Sequence, residues 1–186
     1  MVSLFLFFTI LLNLYNAESL EFKNLDDGVY VHFGKQEDSN KNNLGDISNF
    51  GFIVGSKSIA VIDSGASVKL ASEMLKKIKK TSNLPISHVI ITHSHPDHFL
   101  GTEALMAENP IVIGHEKLNR SMINNFEFYK NLQFSLTEDK SLKSTKLILA
   151  EKLIKIDAIH TIDLGDRKLS IKAWSSGHTD NDLSIY

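Results

Sequence analysis

The sequence predicts an α/β domain, and three observations carry that expectation. A helical stretch, 67–80, lies between two apolar strand-like runs. Two glycine-containing turns, 55–57 and 165–167, each separate a pair of strand-like segments and read as hairpins. A loop dense in histidine follows the second run directly, where α/β sheets usually place their ligands.

The elements follow in order. Residues 28–33 (Gly-Val-Tyr-Val-His-Phe) alternate in strand fashion, and 34–46, polar and rich in Asn and Lys, reads as a loop. Residues 50–54 and 58–63 flank Gly55-Ser56-Lys57 as the first hairpin. Val61 and Ile62 are adjacent and both apolar, as in a strand buried on both faces. Within 67–80, Ala71, Met74, Leu75 and Ile78 recur at i, i+3, i+4 and i+7. Lys76, Lys77, Lys79 and Lys80 lie mostly opposite them. They read as a solvated face with cations well placed near the helix C-terminus, in preference to a nucleic-acid surface. Asn83-Leu84-Pro85 ends the helix and 86–92 is the next strand, so a parallel pair is expected.

Beyond the histidine-rich loop, 99–106 is expected to start a helix that carries it, and 110–114 is a short strand. Residues 116–134 read as a helix with Leu118, Met122, Ile123, Phe126 and Tyr129 on or near one face. Such a stripe is most often core; a lid over the site is the alternative. No organisation is legible in 136–158. Residues 162–164 and 169–174 flank Gly165-Asp166-Arg167 as the second hairpin, and 175–178 leave its last strand. Residues 183–186 alternate like the opening of another strand.

A length of 186 residues suggests one domain, expected over 20–186. Hydrophobic and charged fractions of 42% and 23% are those of a globular protein. A formal charge of −2 offers no field to draw nucleic acid. Cysteine is absent, so no thiolate serves as nucleophile or ligand. Residues 4–12 are almost wholly apolar, yet shorter than the roughly 20 residues that span a bilayer. Ala17-Glu18-Ser19 then places small residues where a signal peptidase reads. Residues 1–19 are therefore expected to be an export signal, placing the protein in the periplasm or outside the cell, with no membrane span after cleavage. No Lys or Arg precedes the run, and an uncleaved anchor is the competing reading. A chain stopping at Tyr186 inside a strand pattern would leave ladder groups unpaired, so the sequence is expected to be incomplete there.

The chemistry concentrates in Thr92-His93-Ser94-His95-Pro96-Asp97-His98. Imidazole suits zinc, copper, iron and nickel, and a carboxylate can bridge or complete such a site. His32, His88, His115 and His160 each stand alone and read as structural, His115 being the first to reconsider because it follows a strand end. No Ser–His–Asp constellation is apparent.

The pattern His93-Ser94-His95-Pro96-Asp97-His98 resembles the His-x-His-x-Asp-His signature of the metallo-β-lactamase superfamily. Gly177-His178-Thr179 resembles that family's Gly-His-Thr and stands in the family's order. The resemblance runs from about Asp27 to Tyr186. It implies a four-layer αβ/βα sandwich, incomplete at the C-terminus. It implies a first zinc site of His93, His95 and His178, and a second zinc site begun by Asp97 and His98. In the family a bridging Asp or Cys and a final His complete that second site farther along. A metal-bound hydroxide, available because zinc lowers the pKa of its water to about 7, would attack a carbonyl or phosphoryl centre of a small-molecule substrate. Asp97 would be the catalytic carboxylate, both ligating and orienting that nucleophile. Asp63 matches the family's early Asp, which supports the metal loop from behind; a turn or cap role is the alternative. Thr179 is expected to pack its hydroxyl against the loop that holds His178. The chain reads Asp180-Asn181-Asp182 where the family often carries Asp then Asn, and no role is assigned to these three residues.

Within the family, nucleic-acid nucleases share the histidine motif followed by Gly101, but the export signal and near-neutral charge argue against them. Flavo-diiron oxygen reductases carry Glu in place of the second His, and His95 favours zinc over iron. A β-lactamase or thioester hydrolase stays open. The stretch from His98-Phe99-Leu100-Gly101 through Ile113-Gly114-His115-Glu116-Lys117-Leu118, with Glu127-Phe128-Tyr129, is similar to the quinoprotein relay system zinc metallohydrolases. That likeness implies periplasmic quinoproteins as partners. A non-catalytic metal- or partner-binding module on the same scaffold is the reading from another class.

Overall fold

The computed structural model describes residues 20–186; the expected signal, 1–19, lies outside the described residues. A seven-stranded sheet runs in the order β1 (Lys23–Asp26), β2 (Val29–His32), β3 (Phe50–Val54), β4 (Ile59–Ile62), β5 (Ile86–Ile90), β6 (Ile111–His115) and β7 (Lys152–Ile154). β1 to β4 pair antiparallel and β4 to β7 parallel. A second, antiparallel sheet has the order β10 (Leu183–Ile185), β9 (Lys168–Ala173), β8 (Ile159–Asp163).

The change of sense at β4 follows from its connections. A tight turn closed by Gly55 N–H on the Ser58 carbonyl (3.0 Å) returns the chain antiparallel. The crossover through α1 (Val68–Thr81) returns it parallel. α1 forms where its periodicity predicts. The Ser67 hydroxyl accepts the Leu70 N–H, Leu70, Ala71, Met74 and Ile78 are buried, and Lys79 and Lys80 occupy the last turn.

Adjacent apolar residues in β4 serve two cores. Val61 packs with Phe52, Met74, Ile78, Val89, Leu105, Val112 and Met122 under the helices. Ala60 packs with Ile90, Ile113, Ile162, Leu164 and Ile171 between the sheets. Burying such side chains stabilises the fold by ~1.5–3 kcal/mol each for the larger ones. The described residues thus form three layers: helices, large sheet, small sheet. A helical layer beyond the small sheet, implied by the resemblance, is not among them.

Several boundaries differ from those predicted. Instead of one helix over 99–106, a single turn, α2 (Pro96–Phe99), begins inside the histidine loop with Pro96 at its start. A 3₁₀ helix (Thr102–Glu108) follows and ends at Asn109 in the left-handed region. α3 (Leu118–Thr137) starts and ends later than 116–134. Its Leu118, Met122 and Phe126 are buried and Tyr129 packs against the same core, so the stripe is core and not a lid; Ile123 faces solvent. Within 136–158 lie a 3₁₀ turn (Lys140–Ser144), started by the Asp139 carboxylate accepting the Ser141 N–H, and β7. β1 escaped prediction because all four of its residues, Lys-Asn-Leu-Asp, are exposed.

Candidate metal centre

The C-terminal ends of four strands meet at one edge of the molecule. β4 delivers Asp63, β5 delivers Thr92 to His98, β6 ends on His115, and β9 leads to His178. Leu183 N–H donates to the Thr92 carbonyl (2.8 Å), which ties the start of β10 to the histidine loop. The loop's own backbone is held on both sides. Ser64 N–H donates to the His98 carbonyl (2.8 Å), Ser48 Oγ donates to the Asp97 carbonyl (2.6 Å), and Gly101 N–H donates to the Gly65 carbonyl (3.1 Å). Gly101 is required there, since a Cβ would collide with the Ser64 and Ser67 carbonyls and the Ala71 side chain.

Three imidazoles converge. His93 Nε2 lies 3.2 Å and His178 Nε2 2.9 Å from His95 Nδ1, and all three ligand atoms lie within 4.8 Å of one another. A single ring nitrogen of His95 cannot donate one proton to two neighbours, whereas a shared cation satisfies all three lone pairs. Tetrahedral zinc with nitrogen ligands at 2.0–2.1 Å sets those nitrogens about 3.4 Å apart, close to the spacing seen. The donor set therefore fits a divalent cation. Among the described residues, this is the one group of three such side chains gathered to metal-ligand distance.

The nitrogens facing away are held by Asp63, which is buried and sits in the left-handed region (φ 59°) that Asp tolerates. Its Oδ1 accepts the Thr92 N–H (2.7 Å), and its Oδ2 accepts the Thr92 hydroxyl (2.8 Å) and His98 Nδ1–H (2.7 Å). With the Thr92 proton so engaged, His93 Nδ1–H donates to Thr92 Oγ1 (3.0 Å). One carboxylate thereby turns Nε2 of both His93 and His98 toward the site. His98 Nε2 stands 3.4 Å from Asp97 Oδ2, beside the three converging imidazoles. The His93 and His98 rings are 4.1 Å apart, centroid to centroid.

Protonation follows this layout. Burial, then the neighbouring His98 ring, pushes His93 down to about 4, and burial with His178 lowers His95. Both rings are therefore neutral at neutral pH with lone pairs available. For His98 burial acts downward, but the hydrogen bonds to Asp63 and Asp97 outweigh it and raise it to about 10. Burial likewise pushes Asp97 up, yet the contacts with His98 leave it below the usual carboxylate value.

Every predicted site residue lies at this edge. Thr179 donates its hydroxyl to Asp182 Oδ1 (2.6 Å), and its N–H also reaches that carboxylate. Sequence reasoning passed over several residues. Asp182 closes the turn that presents His178, so closely that a Cβ at Gly177 would strike it. Asn181, buried, donates its amide to Ser94 Oγ (3.1 Å) in the histidine loop and to Ser121 Oγ (3.3 Å) on α3. Asp180 pairs with Arg120 at the surface. Thr92 opens the histidine-rich stretch, but sequence alone gives its hydroxyl no role. For Asp182 the available signal was a carboxylate three residues beyond a Thr. His32 pairs with Asp46 (2.6 Å). A cavity of about 420 Å³ adjoins His93 and His178 and is walled by Trp174, Asp182, Leu183 and Ser184.

Comparison with known proteins agrees with this geometry. The linear primary-alkylsulfatase of a Pseudomonas strain is 32% identical over 60 residues, 32% of this chain and 11% of that protein. An alkyl/aryl-sulfatase of Saccharomyces cerevisiae is 36% identical over 70 residues, 37% of this chain and 11% of that protein. The matched part thus spans about a tenth of these relatives' length. Two solved structures share the fold with a TM-score of 0.63 over 90% of this chain. One is a metallo-β-lactamase from Hirschia baltica, at 20% identity and 66% of its length. The other is the metallo-β-lactamase FIM-1 from Pseudomonas aeruginosa in its mono-zinc form, at 21% identity and 64% of its length. A family model described as the metallo-beta-lactamase superfamily matches residues 44–186, most of the chain. With the His93–His98 loop and His178 meeting as they do, the chain belongs to the metallo-β-lactamase superfamily.

Proposed function

We propose that the chain carries the metal centre of a zinc-dependent hydrolase acting on a small-molecule ester or amide. The observation that carries this reading is the convergence of His93 Nε2, His95 Nδ1 and His178 Nε2 on one point. These three side chains would hold the first zinc; Asp97 and His98 would take a second. Zinc bound there supplies Lewis acidity and lowers the pKa of a coordinated water to about 7. Asp97 orients the attacking water through its carboxylate and receives its hydrogen bond. Asp63 keeps Nε2 of His98 free of a proton once that ring is neutral, by accepting Nδ1–H. The cavity beside His93 and His178 is of a size for a small molecule, and Trp174 and Leu183 give it an apolar wall.

The sulfatase relatives support alkyl sulfate esters as the first substrates to try, ahead of thioesters and β-lactams. The proposal includes export to the periplasm and service to a quinoprotein system, which rest on residues 4–12 and on the stretch 98–118. Nucleic acid is not proposed as a substrate, given the charge of −2. The test is a panel of alkyl sulfate, thioester, β-lactam and phosphodiester, offered to the zinc-loaded protein and to His95→Ala. Turnover of one class, lost in the variant, supports the reading. Zinc binding without turnover of any favours a metal- or partner-binding module instead. Cell fractionation and co-purification with a quinoprotein test the cellular part.

A further inference from the structure

His115 is a buried histidine outside the metal cluster, and it is fully enclosed at the last position of β6. Both ring nitrogens are occupied. Lys117 N–H donates to Nδ1 (3.0 Å), which fixes the proton on Nε2, and Nε2–H donates to the Trp174 carbonyl (3.0 Å). Trp174 is the first residue after β9, and four residues later the chain reaches His178. Trp174 N–H donates to the Asp182 carbonyl (3.0 Å), so this residue closes the base of the loop 174–182. The His178 loop is thus gripped at its tip by Asp182 and Asn181, and at its root by an imidazole of the other sheet.

From this juxtaposition we infer that His115 is a positioning residue for the metal centre, acting through the Trp174 carbonyl to set where His178 meets His93 and His95. The inference rests on the metal-site reading above. Its working part is the Nε2–H bond to Trp174; the Lys117 bond serves to hold the tautomer that makes it. Two isosteric fragments of the ring separate these roles. Gln at 115 reaches as far as Nε2 and keeps an N–H for Trp174, but loses the acceptor for Lys117. Asn keeps an acceptor at the Nδ1 position for Lys117 but falls short of Trp174.

Both His115→Gln and His115→Asn lose one buried hydrogen bond, so both melt lower than the unsubstituted protein. Zinc affinity, read by competition with a chelator on each folded variant, divides them. Partners that orient metal ligands are worth 10–100-fold in affinity, and His115 acts one step farther out, so His115→Asn is expected to bind zinc about tenfold more weakly. His115→Gln is expected to keep the unsubstituted affinity. Amide hydrogen exchange over 174–179 in the zinc-free proteins should follow the same division, faster in Asn and unchanged in Gln. Equal affinities in all three proteins, equal losses in both variants, or a loss confined to Gln would each overturn the inference. A loss of zinc binding by the unsubstituted chain would instead overturn the metal-site reading, and this inference with it.

Discussion

Replacing Asp63 by Asn tests the chain of contacts behind the ligands. Asn is nearly isosteric and tolerates the left-handed backbone at this position (φ 59°), so strain is not introduced. Its carbonyl oxygen can still accept the Thr92 N–H. Its amide nitrogen, however, now faces His98 Nδ1 and Thr92 Oγ1, both of which donate to Oδ2 in the unsubstituted protein. The Thr92 hydroxyl can rotate. His98 can avoid a donor–donor clash only by giving up its Nδ1 proton and keeping the one on Nε2, the nitrogen that faces Asp97. A protonated Nε2 cannot bind a metal. Hydrogen bonds to a charged group contribute about 1.5–3 kcal/mol, so partial loss at this buried site should lower stability by about that amount. For a chain of this size that is a fall of about 3–12 °C in Tm. The weaker zinc event should lose 10–100-fold, about 1.4–2.8 kcal/mol. The tighter event should change less, because Asp63 touches neither His95 nor His178 and reaches His93 only through the Thr92 hydroxyl, whereas it bonds His98 directly. Calorimetric zinc titration of both proteins reads these two events separately. An unchanged second event, or a first event weakened more than the second, would refute the reasoning.

Other perturbations have equally definite outcomes. His95→Ala should abolish tight zinc binding, since Nδ1 of His95 stands between the other two ligands; chelator competition reads this directly. His98→Ala should spare the tight event and remove the weak one in the same titration. Gly101→Ala should destabilise by about 1–3 kcal/mol in urea unfolding, because the added methyl meets the Ser64 and Ser67 carbonyls rather than flexible side chains. At His32, burial acts downward but the Asp46 carboxylate and the Glu21 carbonyl outweigh it, leaving the folded pKa above 6.5. Its contribution to stability is therefore full below 6.5 and is lost as pH rises through the raised value. Unfolding free energies measured across that window should fall with pH, and the slope should flatten in His32→Gln.

The parts of the fold that were legible from sequence are those encoded locally. α1 shows its periodicity within 14 residues, and both hairpins announce themselves by a glycine between apolar runs. The histidine loop is legible for the same reason: four ligand-type residues fall within six positions. His178 is different, since nothing in its own neighbourhood marks it and only resemblance singles it out. What escaped reading depends on contacts between distant residues. His115 meets Trp174 across 59 positions, and Asn181 meets Ser94 across 87. No periodicity relates such partners; the two sheets must first pack. Asp180-Asn181-Asp182 differs from the family's pattern and no role is legible in it, yet Asp182 clamps Thr179 and Asn181 bridges to the histidine loop. β1 and β7 went unseen because six of their seven residues are exposed, leaving no alternation of buried and exposed positions to detect.

The central claim is that His93, His95 and His178 together hold one metal ion. X-ray absorption at the zinc edge, on protein loaded with one equivalent of zinc, addresses it without relying on turnover. The account predicts a first shell containing three imidazole nitrogens at 2.0–2.1 Å, falling to two in His178→Ala. A shell dominated by water or carboxylate oxygen, or an imidazole count unaffected by His178→Ala, would contradict it.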